Sequence, residues 1–217
     1  MSQTSSSTTD PTPRMYRSEL RARQAQETRQ RIIEAAVLRF AESGYQATTL
    51  SSIAREAGVS TETVKTAASK AELLLAAFEV TFSGSESAES LKDTEVGAGV
   101  LELPDEALLP TVLTQIAGAN ARGFALWTVV LGAALSDEVV NAALQDILKR
   151  RRADYVMLIR ELVRRGRTNV VDVESAADAL SFLLSPESYQ QLVDQAGWTT
   201  DAYTDWLRDA VDAQLRG

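Results

Sequence analysis

Apolar residues recur at helical spacing along most of the chain from about residue 27 to the C-terminus. In the first such segment, Ile32, Ile33, Ala36 and Phe40 follow one another at intervals that place them on one face of a helix. This pattern predicts a helix over residues 27–43, ended by Gly44, because glycine suits the left-handed conformation of a helix C-terminus. No segment shows a convincing strand-like alternation of apolar and polar residues, and the chain has no internal repeat. The sequence therefore predicts an all-α fold.

Capping residues mark the starts of three further helices that lie close together in the chain. Thr49 and Ser60 each precede a helical segment, and each carries a hydroxyl that can accept a hydrogen bond from an amide of the first turn. Ser69 and Glu72 have the spacing of a capping box, in which both side chains bind backbone amides. We predict helices over residues 50–57 and 61–68, and a fourth that begins at residue 70 and fades near residue 93.

The rest of the chain also has helical periodicity. A glycine-containing segment, residues 118–123, predicts a break between two helices, and Ser136, Asp137 and Glu138 form the capping start of a long one. The helices expected here span residues 105–117, 120–135, 138–166, 173–184 and 200–215. Two apolar stripes on the last two helices are available for packing within the subunit or against a second copy.

The residue types that are missing restrict the chemistry. The chain has 217 residues and contains neither Cys nor His, which excludes thiolate nucleophiles, disulfides, Ser-His-Asp triads and zinc sites built on these residues. No pair of carboxylates is isolated in an apolar context, as general acid and base catalysis requires. We therefore predict that the chain is not an enzyme and has no catalytic residues, no metal and no cofactor. The alternative is an enzyme that works through carboxylate, Lys or Tyr side chains.

The apolar segments of the chain bear on its expected location. The first thirty residues lack the apolar segment of a signal peptide. The longest nearly uninterrupted apolar run, Phe124 to Leu135, is too short to span a bilayer. We therefore expect a cytoplasmic protein without a membrane partner.

Charge is unevenly distributed along the chain. The net charge is -8, but residues 1–80 carry ten basic and nine acidic side chains, whereas the remaining residues carry twelve basic and twenty-one acidic ones. Between Arg14 and Arg31 there are six arginines and only two glutamates. A local positive surplus of this kind favours contact with phosphates, although a solvated tail is an equal alternative.

Residues 53–64, with the sequence IAREAGVSTETV, have the pattern of a helix-turn-helix. Ala54 suits a close helix crossing, Gly58 suits a turn with positive φ, and Val59 and Val64 anchor the two helices inward. The second helix of such a motif enters the major groove of DNA with its N-terminal residues at the base edges. The exposed positions on or near this helix are Ser60, Thr61, Thr63 and Lys65. A plain helical hairpin without DNA binding is the alternative.

The helix-turn-helix segment and the residues around it resemble the TetR family of transcriptional regulators. The matching segments lie between Arg31 and Leu74: RIIEAAVLRFAESGYQATTLSSIAREAGVSTETV, followed by SKAELL. Weaker similarity to the final helices of one branch continues in LLSPESYQQLVDQAGWTTDAYTDWL. The resemblance implies an N-terminal three-helix DNA-binding domain, a C-terminal ligand-binding and dimerisation domain, and repression relieved by a small molecule. We assign residues 1–24 to a disordered, partly basic tail, 25–72 to the first domain and 73–217 to the second.

The resemblance also implies which residues contact DNA. Thr49 and Lys70 match family positions that touch phosphates, and Thr61 and Thr63 match positions of the recognition helix. The expected DNA-binding set is Thr49, Ser60, Thr61, Thr63, Lys65 and Lys70.

The recognition helix departs from the family pattern at three positions. Where the family usually has Tyr, then an aromatic residue or His, then Phe, this chain has Lys65, Ala67 and Ala68. Replacing a packed Phe by Ala typically costs about 3–5 kcal/mol unless neighbouring residues fill the space. This departure supports an alternative function, a helical small-molecule-binding or protein-interaction protein with degenerate DNA recognition.

The effector site is also expected from the resemblance, because the matching helices of relatives surround a cavity. The candidate ligand-binding residues are Asn120, Phe124, Trp127, Thr128, Leu131 and Tyr155. Such a mixture of apolar and aromatic side chains with few polar groups suits a hydrophobic or aromatic ligand. The alternative is that these residues fill an ordinary core.

A dimer is expected because a helix-turn-helix protein that reads two half-sites gains affinity and selectivity from a second copy. The candidate interface residues lie on the last two helices: Ala177, Leu180, Leu184, Tyr203, Trp206 and Leu207. The sequence therefore predicts a homodimeric regulator, a repressor, that binds a palindromic operator and is released by a small hydrophobic or aromatic ligand.

Overall fold

A computed structural model of the protein describes residues 13–84, 86 and 99–216, with side chains from residue 20 onward. Within these residues the chain forms nine α-helices and no strand, which confirms the all-α prediction. The helices are α1 (Pro13–Ala47), α2 (Leu50–Ala57), α3 (Thr61–Ala67), α4 (Lys70–Ser83), α5 (Asp105–Ala134), α6 (Glu138–Arg164), α7 (Val173–Leu183), α8 (Pro186–Tyr189) and α9 (Thr200–Leu215). A 3-10 turn (Val100–Glu102) precedes α5, and a π-helical segment (Gln190–Gln195) follows α8.

Helix α1 is longer than the periodicity predicts. It begins at Pro13 instead of residue 27, so the expectation of disorder over residues 1–24 is wrong for residues 13–24. Most residues of this segment are Arg, Gln, Glu, Ala or Leu, which have high helix propensity and favour continuation of the helix. Residues 1–12 lie outside the described residues. The predicted end of the helix is confirmed, because Gly44 has a φ of 68° and interrupts the helical backbone.

Two other helix boundaries differ from the prediction. Helix α4 ends at Ser83 instead of fading near residue 93, and Gly84 takes the left-handed conformation with a φ of 81°. Helix α5 continues through residues 118–123, where the glycines predict a break. Gly123 is needed for packing: a Cβ there would lie 3.0 Å from the Phe82 ring. The glycine therefore allows α4 to approach α5 closely without ending the helix.

The hydrophobic core has two parts that meet at α5 and α6. The first lies between α1, α2, α3 and α4 and continues onto one end of α5 and α6, where the rings of Phe78 and Trp127 are 5.1 Å apart. The second lies among α5, α6, α7, α8 and α9. Because α4 contributes to the first part of the core and packs along α5, the predicted domain boundary between residues 72 and 73 falls inside a helix that belongs to both regions.

Within the residues that the structure describes, no helix combines the length and hydropathy that a bilayer span requires.

Candidate nucleic-acid interface

Helices α2 and α3 form the predicted helix-turn-helix. Thr49 is the N-cap of α2, and its hydroxyl oxygen accepts a hydrogen bond of 3.1 Å from the amide of Ser52. Helix α2 ends at Gly58, which has a φ of 65° in the left-handed region that favours glycine. Ile53 and Ala54 are buried, so α2 is fixed against α1 and α3. The local signals in the sequence are confirmed at both ends of this helix.

Helix α3 presents a polar face to solvent. Ser60 caps the helix by accepting a hydrogen bond of 3.0 Å from the amide of Thr63, and the two hydroxyl oxygens lie 2.8 Å apart. Val64 is completely buried and holds the helix against the core. Thr61 is half-buried, whereas Ser60, Thr63 and Lys65 are exposed. The structure therefore brings the four predicted residues of the recognition helix to one accessible end of the domain.

The small residues at the end of α3 are packed in the core. Ala68 is 8% exposed and belongs to the first part of the core, and Ala67 is half-buried. The Ala67 carbonyl accepts a hydrogen bond of 3.3 Å from Arg29, whose guanidinium also forms a salt bridge of 2.8 Å with Glu86. Arg29 is therefore an internal link between α1 and α3, although the sequence places it in the basic segment.

Lys70 at the start of α4 lies beside the end of α1. Its Nζ is 4.3 Å from the centroid of the Tyr45 ring and 3.4 Å from the carbonyl oxygen of Gln46. Burial lowers the pKa of the Lys70 ammonium, and the Asp137 carboxylate partly opposes this shift. Thr49, in contrast, is exposed. A contact between Lys70 and a phosphate remains a prediction. In that contact the ammonium would have to donate to the phosphate while it also donates to the Gln46 carbonyl oxygen.

A contact that the sequence does not reveal joins this region to the rest of the protein. The hydroxyl of Tyr45 donates a hydrogen bond of 2.5 Å to Oδ2 of Asp137, and Gln46 donates one of 3.1 Å to Ser136. Asp137 also caps α6 by accepting hydrogen bonds from the amides of Val139 and Val140. The Tyr45 hydroxyl is the largest cause that lowers the pKa of Asp137, while burial raises the pKa of Tyr45. These residues are 92 positions apart, and no local signal links them.

The six predicted ligand-binding residues are divided between different parts of the described structure. Asn120 is buried against α8 and α9, and its amide donates to the carbonyls of Leu184 and Ser185. Tyr155 is buried, and Phe124 packs on Tyr189 in the same part of the core. The other three side chains lie elsewhere: Trp127 is buried on Phe78, Leu131 packs against the first part of the core, and Thr128 is exposed. Five of the six residues follow one another along α5 and point to different sides of it, whereas Tyr155 lies on α6, so their joint role in ligand binding stays a prediction.

Five of the six predicted dimer residues are inside the subunit. Each of the five is at most 1% exposed, because α7 and α9 use these apolar stripes to pack on α5 and α6: Ala177, Leu180, Leu184, Tyr203 and Leu207. Such residues cannot contact a second copy, so the expectation is wrong for them. Trp206 is half-buried and accessible. The outward faces of the same helices carry other apolar residues, among them Phe182, which is 67% exposed.

Comparison with known proteins supports the identification of α2 and α3 as a helix-turn-helix. Residues 32–77 match the profile described as "Bacterial regulatory proteins, tetR family". The matched residues cover the end of α1, all of α2 and α3, and the first half of α4. No curated protein matches the chain at a significant level.

Solved structures share the fold over most of the chain. A TetR-family protein from Mesorhizobium loti MAFF303099 aligns with a TM-score of 0.68 and 20% identity over 88% of this chain and 96% of its own. The fatty acid degradation regulator FadR from Bacillus halodurans aligns with a TM-score of 0.66 and 20% identity over 87% and 95%. GusR from Salmonella enterica aligns with a TM-score of 0.62 and 22% identity over 87% and 95%.

Proposed function

We propose that this chain, a member of the TetR family of bacterial regulatory proteins, binds a palindromic operator as a homodimer, represses transcription and is released by a small molecule. The exposed polar face of α3 carries the proposal. A helix that is anchored by one buried side chain and capped at its N-terminus can enter a major groove without distortion of the domain. The proposed domain division, residues 25–72 and 73–217, and a cytoplasmic location belong to the same proposal.

In the proposed complex, two sets of residues have different roles. Thr63 and Lys65, on the exposed face of α3, contact base edges and determine sequence preference. Thr49 and Lys70, at the N-termini of α2 and α4, contact phosphates and add affinity that is independent of sequence. The Thr49 hydroxyl oxygen accepts from Ser52, which leaves its O–H available to donate to a phosphate.

Fluorescence anisotropy with labelled duplexes tests this division of roles. Thr49→Ala is expected to weaken binding to all duplexes about equally, Thr49→Ser is expected to retain affinity, and Thr63→Ala is expected to change the order of preference among sequences. Thr128→Ala is the matched control, because Thr128 is an exposed threonine on α5. If Thr49→Ala binds every duplex as tightly as the unchanged protein, the phosphate contact of Thr49 is wrong.

The dimer in this proposal uses the outward faces of α7 and α9. Phe182 on α7 and Trp206 on α9 are accessible, and Trp198 packs edge-on against Trp206 with centroids 6.4 Å apart. Small residues flank this surface on α9, including Ala202 and Ala213. Helices α7 and α9 pack side by side, so two copies related by a two-fold axis would form a four-helix bundle.

Sedimentation equilibrium tests the dimer surface. Phe182→Asp is expected to shift the protein towards the monomer, because it places a charge in the centre of the proposed apolar contact. Leu135→Asp is the control, since Leu135 is 89% exposed at the turn between α5 and α6. A dimer that persists unchanged in Phe182→Asp contradicts this placement of the interface, and a monomeric unchanged protein contradicts the homodimer.

One observation favours the second candidate, a helical ligand-binding protein with degenerate DNA recognition. Glu62 is exposed on α3, and its carboxylate lies 3.8 Å from Nζ of Lys65, so part of the positive charge of the recognition helix is compensated. If no fragment, including the DNA upstream of its own gene, is bound selectively at low salt, this second function replaces the first.

A further inference from the structure

A cleft of about 710 Å³ lies between the C-terminal half of α4 and the middle of α5. Its volume is within the range of about 300–1,000 Å³ that is typical of small-molecule sites. The α4 side consists of Val80, Thr81 and the following Gly84, and the α5 side consists of Thr114, Gln115, Gly118 and Arg122. None of the six residues that the sequence predicts for ligand binding lines it.

The lining of this cleft contains one charged side chain, Arg122. Its guanidinium donates hydrogen bonds of 3.3 Å to the carbonyl of Thr81 and 3.1 Å to the carbonyl of Phe82. Both acceptors are neutral backbone groups at the end of α4. Eight other arginines among the described residues form salt bridges with carboxylates, whereas Arg122 has no such partner within the same residues. The positive charge of the cleft is therefore uncompensated by the described side chains.

The floor of the cleft leaves the remaining donors of Arg122 accessible. A Cβ at Gly118 would lie 3.6 Å from Nη1 of Arg122, so the glycine keeps this side of the guanidinium open. Gln115 also lines the cleft, and its buried Oε1, which has no hydrogen-bond partner among the described residues, can accept from a hydroxyl or N–H of a ligand but not from a carboxylate. Val80 provides an apolar wall across from them. A guanidinium with open N–H groups binds carboxylates in a planar, two-point geometry.

We propose that this cleft binds a small organic acid whose carboxylate pairs with Arg122 and whose apolar body lies against Val80 and Gly118. The regulatory consequence rests on the proposed function. A carboxylate that binds the open N–H groups shares the guanidinium with the carbonyls of Thr81 and Phe82, and so weakens the hold of α5 on the C-terminal end of α4. Helix α4 begins at Lys70, beside the DNA-binding helices, so its position connects the cleft with the reading surface.

Isothermal titration calorimetry in the absence of DNA tests the site with four probes: benzoate, octanoate, benzamide and octanamide. At least one acid is expected to bind saturably, and its neutral amide is expected to bind at least tenfold more weakly because it cannot pair with a guanidinium. Arg122→Gln is expected to weaken the acid at least tenfold and to leave the amide unchanged. Arg167→Gln is the matched control, since Arg167 is an exposed arginine outside the cleft.

A second variant covers the case in which Arg122→Gln unfolds the end of α4. Gly118→Leu retains the charge, fits a helix interior and fills the floor of the cleft, so it is expected to abolish binding of the acid. The proposal is overturned if neither acid binds, if acids and amides bind equally, or if both variants bind like the unchanged protein. Failure of DNA binding with intact binding of the acid would contradict only the proposed function, because the calorimetry contains no DNA.

Discussion

Replacing Tyr45 by Phe tests the connection between the DNA-binding helices and the rest of the protein. The change removes the hydroxyl that donates to Asp137 and retains the ring, which is stacked on Phe40 with centroids 6.0 Å apart. A hydrogen bond to a charged group contributes about 1.5–3 kcal/mol. Asp137 retains two backbone donors, from Val139 and Val140, so we expect a loss of about 1–1.5 kcal/mol of unfolding free energy, near or below the lower limit of that range.

The assay is thermal and urea unfolding followed by circular dichroism. In a chain of 217 residues, a loss of this size lowers Tm by about 2–6 °C. Asp137→Asn and the double variant complete a double-mutant cycle, which separates the Tyr45 contact from the cap that Asp137 gives to α6. Tyr189→Phe is the matched control, because the hydrogen-bond distance from its hydroxyl to Thr200 is 3.5 Å. We expect that control to change stability by less than about 0.5 kcal/mol.

The pH dependence of the Tyr45→Phe effect has a defined sign. The hydrogen bond from Tyr45 lowers the pKa of Asp137 below its ordinary value of 3.8. A depressed carboxyl pKa in the folded state gives stability that is complete above the unfolded pKa and is lost as the pH falls through the folded pKa. The difference between the unchanged protein and Tyr45→Phe is therefore constant from about pH 5 to 8 and shrinks below the unfolded pKa. A loss under about 0.3 kcal/mol, or a cycle without coupling, would refute the contact as a source of stability.

Two further predictions concern packing and charge inside the subunit. Gly123→Ala is expected to destabilise the protein by about 1–3 kcal/mol in urea unfolding, because its Cβ would lie 3.0 Å from the Phe82 ring. Gly132→Ala, whose Cβ would have nothing within 4 Å, is expected to stabilise the protein by about 0.5–1 kcal/mol. Equal effects of the two variants would contradict the close approach of α4 and α5. Arg165→Lys is expected to lower the free energy of unfolding by about 1–3 kcal/mol. The Arg165 side chain is 12% exposed, and its guanidinium binds two backbone carbonyls and two carboxylates, which an ammonium cannot hold together. Arg167→Lys, the exposed control, is expected to be neutral in the same assay. Similar melting curves for these two arginine variants would show that the network around Arg165 adds no stability.

The sequence predicts the ends of the helices well where the capping interactions are local. The caps at Thr49, Ser60 and Ser69 and the left-handed Gly58 are present in the structure, because each depends on residues within one turn of the helix. The glycines of α5 show the opposite case. Gly123 satisfies a contact with Phe82, which is distant in sequence, so its local reading as a helix break is wrong.

The dimer surface and the cleft around Arg122 could not be predicted from helical periodicity, because periodicity does not show which helices pack together. An apolar stripe indicates that a face is buried but not what covers it, and Leu180 and Leu207 are covered by their own subunit. The link between Tyr45 and Asp137 and the cleft around Arg122 arise only when distant helices meet. In the DNA-binding helices, by contrast, motif and site coincide within a few residues, so the exposed face of α3 follows from the sequence.

The proposed function requires that a dimer binds DNA sequence-specifically through its two copies of α3. The most direct test is selection of bound duplexes from a random pool, followed by sequencing. Two copies related by a two-fold axis predict an inverted repeat whose half-site centres lie about 10–10.5 base pairs apart, or a multiple of this spacing, on one side of the duplex. Thr63→Ala is expected to change the enriched half-site and to leave the spacing unchanged. A pool without enrichment, or an enriched site without two-fold symmetry, would contradict the account.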